Sequence, residues 1–65
     1  MIQVNGEGYN AWEGKSLGAF LDAQGYRRDR IAVEANGTII PQGQYEETLL
    51  QDGDVLEIVQ FMGGG

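Results

Sequence analysis

A single run of helical periodicity, set between two hairpin signals, narrows the fold of this chain more than any other feature. In SLGAFLDAQG, Ser16 to Gly25, the apolar residues Leu17, Phe20 and Leu21 recur at i, i+3 and i+4 and share one face. Ser16 is placed to cap the first turn and Gly25 to end the last. Gly18 inside the run costs about 1 kcal/mol relative to alanine. A helix this short is marginal by itself, so its apolar face must be held against a sheet.

The flanking segments supply the strands. MIQV alternates, with Ile2 and Val4 on one side and Gln3 on the other. NGEG, Asn5 to Gly8, reads as a hairpin turn, and YNAW, Tyr9 to Trp12, as the returning strand. After the helix, Ile31 and Val33 alternate with Ala32 and Glu34, Asn36-Gly37 gives a tight turn, and Thr38 to Ile40 return until Pro41 ends the strand. QGQYEETLLQDGD is a loop with one helical turn near Tyr45 and a tight turn at Asp52-Gly53-Asp54. VLEIVQF is the last strand. The order β, β, α, β, β, short helix, β predicts an α+β fold: a mixed sheet of about five strands with one main helix packed on one face.

Chemistry is bounded by what the chain lacks. Its 65 residues allow one domain, and they contain no cysteine and no histidine. Thiolate and imidazole metal sites are excluded, as are a thiolate nucleophile, a persulfide of its own and a general base near neutral pH. No catalytic residues of its own and no bound cofactor are expected. The formal net charge of −6 argues against nucleic acid and anionic membrane as partners and suits a partner with a basic docking surface. No apolar run is long enough to span a bilayer, and no basic start precedes an apolar core, so a cytoplasmic setting is expected.

The last strand and its tail are the strongest functional signal. Leu56 and Ile58 fall on one face and are expected in the core. Glu57, Val59 and Phe61 fall on the other, which Glu57 marks as the solvent side. Val59, Phe61 and Met62 then form an apolar docking patch directly before the tail. Gly63, Gly64 and Gly65 carry no Cβ and suit a narrow channel. Extended, three residues reach at most about 10 Å, enough to enter a partner's pocket while the domain stays outside. The expected division is a folded domain over 1–62 and a flexible glycine tail over 63–65.

Three features in order, VEANGTIIP, the turn QDGD before a final apolar strand, and the closing glycines, resemble the sulfur carrier proteins of thiamine biosynthesis, the ThiS family. VEANGTIIP is similar to that family's valine–x–x–asparagine–x–x–isoleucine–hydrophobic–proline segment, and the resemblance covers essentially the whole chain. Gln42 departs from the basic residue that often follows that proline. The resemblance implies the β-grasp, or ubiquitin-like, fold. It also implies a cycle run by other proteins. A ThiF-type, E1-like enzyme uses ATP and magnesium to adenylate the Gly65 carboxylate, with Gly63 and Gly64 entering its active site. A persulfide donor supplies sulfur, AMP leaves, and the resulting thiocarboxylate gives its sulfur to thiazole formation on a ThiG-type thiazole synthase.

Two other readings share the fold and the ending. One is the small subunit of molybdopterin synthase, whose chains are usually longer; the other is a ubiquitin-like modifier or interaction module. Arg27, Arg28 and Arg30, clustered around Asp29, read as a solvated loop or as a contact to an acidic partner patch. Trp12 reads as a packing residue, and Lys15 as solvated ahead of the helix cap.

Overall fold

In the computed structural model, which describes residues 1–61, the elements run β1 (Ile2–Val4), β2 (Glu7–Tyr9), α1 (Leu17–Ala23), β3 (Ile31–Ala35), β4 (Thr38–Ile40) and β5 (Val55–Gln60). They build one five-stranded sheet of order β2-β1-β5-β3-β4. The central pair, β1 and β5, is parallel, and the other pairings are antiparallel. This is the mixed sheet with one main helix expected of the β-grasp.

Both hairpins close on the same dipeptide. Asn5-Gly6 and Asn36-Gly37 each place two successive residues at positive φ, 50° and 86° in the first and 52° and 86° in the second. Two-residue loops with both residues left-handed match the twist of paired strands, and asparagine followed by glycine tolerates them best. The first turn is therefore shorter than expected. Val4 pairs directly with Glu7, so the second strand is Glu7–Tyr9 and not Tyr9–Trp12. The chain leaves the sheet after Tyr9 and passes Ala11 at φ 71°, which brings Trp12 back toward the core.

The helix is set as its sequence dictates. Ser16 is extended, and its Oγ accepts from the Ala19 N–H at 3.0 Å. At the other end Gly25, at φ 83°, allows the Tyr26 N–H to reach back to the Leu21 carbonyl at 3.0 Å and its own N–H to reach that of Asp22 at 3.1 Å. The loop between β4 and β5 closes over the helix start, where the Leu17 N–H donates to the Thr48 carbonyl at 2.7 Å and the Gly18 N–H to that of Tyr45 at 3.0 Å. The helical turn expected near Tyr45 is a 3-10 turn over Gln42–Gln44 that runs into it. Gly18 has a second reason to be glycine: a Cβ there would meet the ends of Arg28 and Glu46, which pair across the helix surface.

One face of the sheet is covered. Ile2, Val4, Ile31, Val33, Leu56 and Ile58 point toward Leu17, Phe20 and Leu21 of α1 and toward Tyr45 and Leu50 of the loop. Phe20 sits at the centre, with the rings of Tyr9 and Trp12 each edge-on at 5.1 Å. Such edge-to-face pairs add about 0.5–1.5 kcal/mol each beyond burial. Among the described residues no polar or charged side chain is buried in this core.

Candidate functional site

The strand that leads into the glycine tail is braced from three sides. β3 pairs with β5 along its whole length, from Ala35 opposite Leu56 to Ile31 opposite Gln60. The Phe61 N–H then donates to the Arg30 carbonyl at 2.8 Å, so pairing reaches Phe61. On the opposite edge β1 stops at Val4, opposite Leu56. Asn5 carries the ladder further with its side chain. The Ile58 N–H donates to Asn5 Oδ1 at 2.8 Å, and Asn5 Nδ2 donates to the Ile58 carbonyl at 3.1 Å.

Asn36 does the same work at the start of β5. Its Oδ1 accepts from the Val55 N–H at 2.9 Å, and its backbone N–H donates to the Val55 carbonyl at 2.8 Å. Its Nδ2 reaches Asp54 Oδ1 at 3.1 Å, while Asp54 Oδ2 accepts from the Gln51 N–H at 2.9 Å within the tight turn. The first residue of each Asn-Gly turn thus has a second role as a clamp on β5. Neither role was anticipated from sequence, where both asparagines served only as turn formers. The choice of asparagine over aspartate was the available signal, because only an amide offers a donor and an acceptor side by side.

The two faces of β5 divide as its alternation requires. Leu56 and Ile58 are buried, at 1% and 6% exposure. Val59 and Phe61 stand on the opposite, uncovered face at 58% and 54%, with Val55 at 44%. That face continues sideways: Val59 lies opposite Ala32, Glu57 opposite Glu34, and Glu34 opposite the exposed Ile39 of β4. Ala32, Glu34, Ile39, Glu57 and Val59 together line a shallow groove. Met62, Gly63, Gly64 and Gly65, the remaining residues singled out in the sequence, lie outside the described residues.

The arginine cluster divides between two roles. Arg28 lies in a 3-10 turn, Arg28–Arg30, and bonds Asp22 at 3.0 Å and also Glu46, tying the end of the helix to the loop over its start. Glu46 and then Asp22 raise its pKa further above the usual guanidinium value. It is a half-buried intrachain tie, which corrects its reading as part of a solvated loop. Arg27 is exposed beside Asp29 at 3.4 Å. Lys15 lies over the Trp12 ring, 5.1 Å from its centroid.

Comparison with known proteins places this geometry in context. The ThiS family model matches residues 2–65. A sulfur carrier protein ThiS of Bacillus subtilis (strain 168) is 40% identical over 68 residues that take in 100% of both chains. A thiazole synthase of Magnetococcus marinus is 39% identical over 64 residues, 98% of this chain and 20% of that protein, so the chain spans about a fifth of that relative's length. The crystal structure of a thiamine biosynthesis protein, ThiS, from Geobacter metallireducens has a TM-score of 0.78 at 30% identity, covering 98% of this chain and 97% of that one.

Proposed function

The chain belongs to the ThiS family, the sulfur carrier proteins of thiamine biosynthesis, and on that premise we propose that its Gly65 carboxyl group is the part that carries sulfur. The observation that supports this most is the match to a sulfur carrier over the full length of both chains, with the family match running through Gly65. The strand that precedes these glycines in the sequence is braced up to Phe61, whose N–H is held by the Arg30 carbonyl.

A carboxylate accepts sulfur poorly because its oxygen is a poor leaving group. In this reading a ThiF-type, E1-like enzyme binds the chain through the apolar residues Val59, Phe61 and Met62 and draws Gly63, Gly64 and Gly65 into its active site. That enzyme supplies ATP and Mg²⁺. The Gly65 carboxylate attacks the α-phosphate and pyrophosphate leaves, giving the acyl adenylate. The terminal sulfur of a persulfide attacks the acyl carbon, and AMP leaves. A thiol then attacks the donor's own sulfur and breaks the sulfur–sulfur bond, so the thiocarboxylate stays on Gly65 and the donor leaves in a disulfide with that thiol. Glycine suits each step, because a side chain at these positions would crowd the approach to the α-phosphate.

The carrier is then a protein co-substrate and not an enzyme. A ThiG-type thiazole synthase is the proposed acceptor, supported by the relative in which a matching segment is a fifth of a thiazole synthase. The setting is the cytoplasm, where the reducing thiols are available. The test is ATP–pyrophosphate exchange by the ThiF-type enzyme of the same organism. Exchange is expected to depend on the chain and to vanish when Gly64 and Gly65 are removed. Exchange that persists without them would contradict the reading.

A further inference from the structure

The uncovered face of the sheet carries a feature that the folded chain itself does not explain. Glu34 and Glu57 are directly opposite one another on β3 and β5. Side chains so placed have Cβ atoms about 4.5–5.5 Å apart, and like charges there destabilise the sheet. The chain already carries a net charge of −6. Among the described residues no ion pair reaches either carboxylate. Arg27 pairs with Asp29, Arg28 with Asp22 and Glu46, and Lys15 lies over Trp12. Arg30 sits in the 3-10 turn before β3, and no ion pair joins it to Glu34 or Glu57 among the described residues.

Around the two carboxylates the surface is apolar. Ala32, Ile39 and Val59 complete the walls of the groove, and Val59 leads along the same face of β5 to Phe61. A paired negative charge with an aliphatic rim fits a cation on an aliphatic stem. The stem packs on Val59 and Ile39 while a guanidinium or ammonium lies between the carboxylates. A second copy of this chain does not fit, because it would bring an equal pair of carboxylates and a further net charge of −6 to the contact.

We propose that the Glu34–Glu57 groove is a socket for an arginine or lysine flanked by apolar side chains on the adenylating partner. This rests on the carrier reading and adds the chemistry of the docking surface to it. The partner is assigned by position: the groove opens on the same strand face as Val59 and Phe61, immediately before the tail that the adenylating site must receive. Binding relieves the repulsion between the glutamates, so the folded chain holds a contact that is unfavourable alone and favourable in the complex.

The proposal makes stability and affinity move in opposite directions. The double variant Glu34→Gln, Glu57→Gln keeps the shape of the groove and removes both charges. Its Tm is expected at or above that of the unaltered chain. Its Kd for the ThiF-type enzyme with ATP, by calorimetric titration in low salt, is expected to rise about tenfold. Its binding is also expected to depend less on salt, because two charges have left the interface. The chain concentration that half-saturates ATP–pyrophosphate exchange should rise in step. Equal affinity and equal salt dependence in the two proteins would overturn the proposal. So would weakening confined to thiazole synthase. Should the double variant melt lower, Glu57→Gln alone supports the same comparison, because Glu57 is exposed on the uncovered face. Unaltered chain that binds the enzyme but supports no exchange contradicts the carrier reading separately, while the affinity comparison still decides the socket.

Discussion

Phe61 leaves more than half of its surface open to solvent on a strand whose backbone is held in place, with 54% exposed and its N–H bonded to Arg30. An aromatic ring anchored and exposed in this way costs the fold little when removed. Phe61→Ala is expected to change Tm by less than about 2 °C and to weaken binding to the adenylating enzyme about tenfold, or about 1.4 kcal/mol. Calorimetric titration beside a thermal melt checks both halves. Tyr45 is the opposite case, at 2% exposure with its phenol pKa raised by burial. The folded chain therefore holds that proton more tightly than the unfolded chain. The stabilisation is complete below the ordinary tyrosine value of 10.0 and is lost as pH rises through the folded value. Melts between pH 8 and pH 11 should show Tm falling above about pH 10. Tyr45→Phe, which keeps the ring packed, should reduce that fall. Tyr9, raised by burial and by Glu7, contributes the same sign and leaves part of it in place.

At the scale of elements, the paired turns and the last strand depend on each other. Asn5 closes the first hairpin and also replaces a missing strand residue beside Ile58, through bonds of 2.8 and 3.1 Å in a part-buried position. Asn5→Ala removes both bonds and puts a less tolerant residue at φ 50°. A loss of about 2–3 kcal/mol is expected from the two unpaired backbone groups and the backbone strain together. Amide exchange at Ile58 should accelerate more than at Val33, whose cross-strand pairing with β4 and β5 stays intact. The sequence made the elements themselves legible, because each followed from periodicity and turn chemistry: the helix from Leu17, Phe20 and Leu21, and the second hairpin from Asn36-Gly37. The first hairpin was misplaced because Gly6 and Gly8 offered two turn positions, and only strand pairing selects between them. The clamps of Asn5 and Asn36 on β5 were not legible. They join residues far apart in sequence, and beyond the choice of asparagine over aspartate local pattern carries no trace of such contacts. Glu34 and Glu57 were each visible as solvent-side positions, but their opposition depends on the register of β3 against β5.

For the molecule as a whole, form and charge follow from a small set of choices. With no cysteine or histidine, a 65-residue chain relies on one apolar core, and that core is built by one helix and one loop over one face of the sheet. Among the described residues nothing covers the other face, and it carries both the exposed apolar residues of β5 and the opposed glutamates. Gly65 lies six residues beyond Val59 in the sequence, so the surface proposed to find a partner and the group proposed to react in it are close along the chain. Sulfur loading at Gly65 is decided by the intact mass of the chain after incubation with its ThiF-type enzyme, ATP, Mg²⁺, a persulfide donor and a thiol. A mass increase equal to one oxygen replaced by sulfur is expected, localised to Gly65 and absent from a chain lacking that residue. An unchanged mass, with the same enzyme shown to convert another carrier under the same conditions, would contradict it.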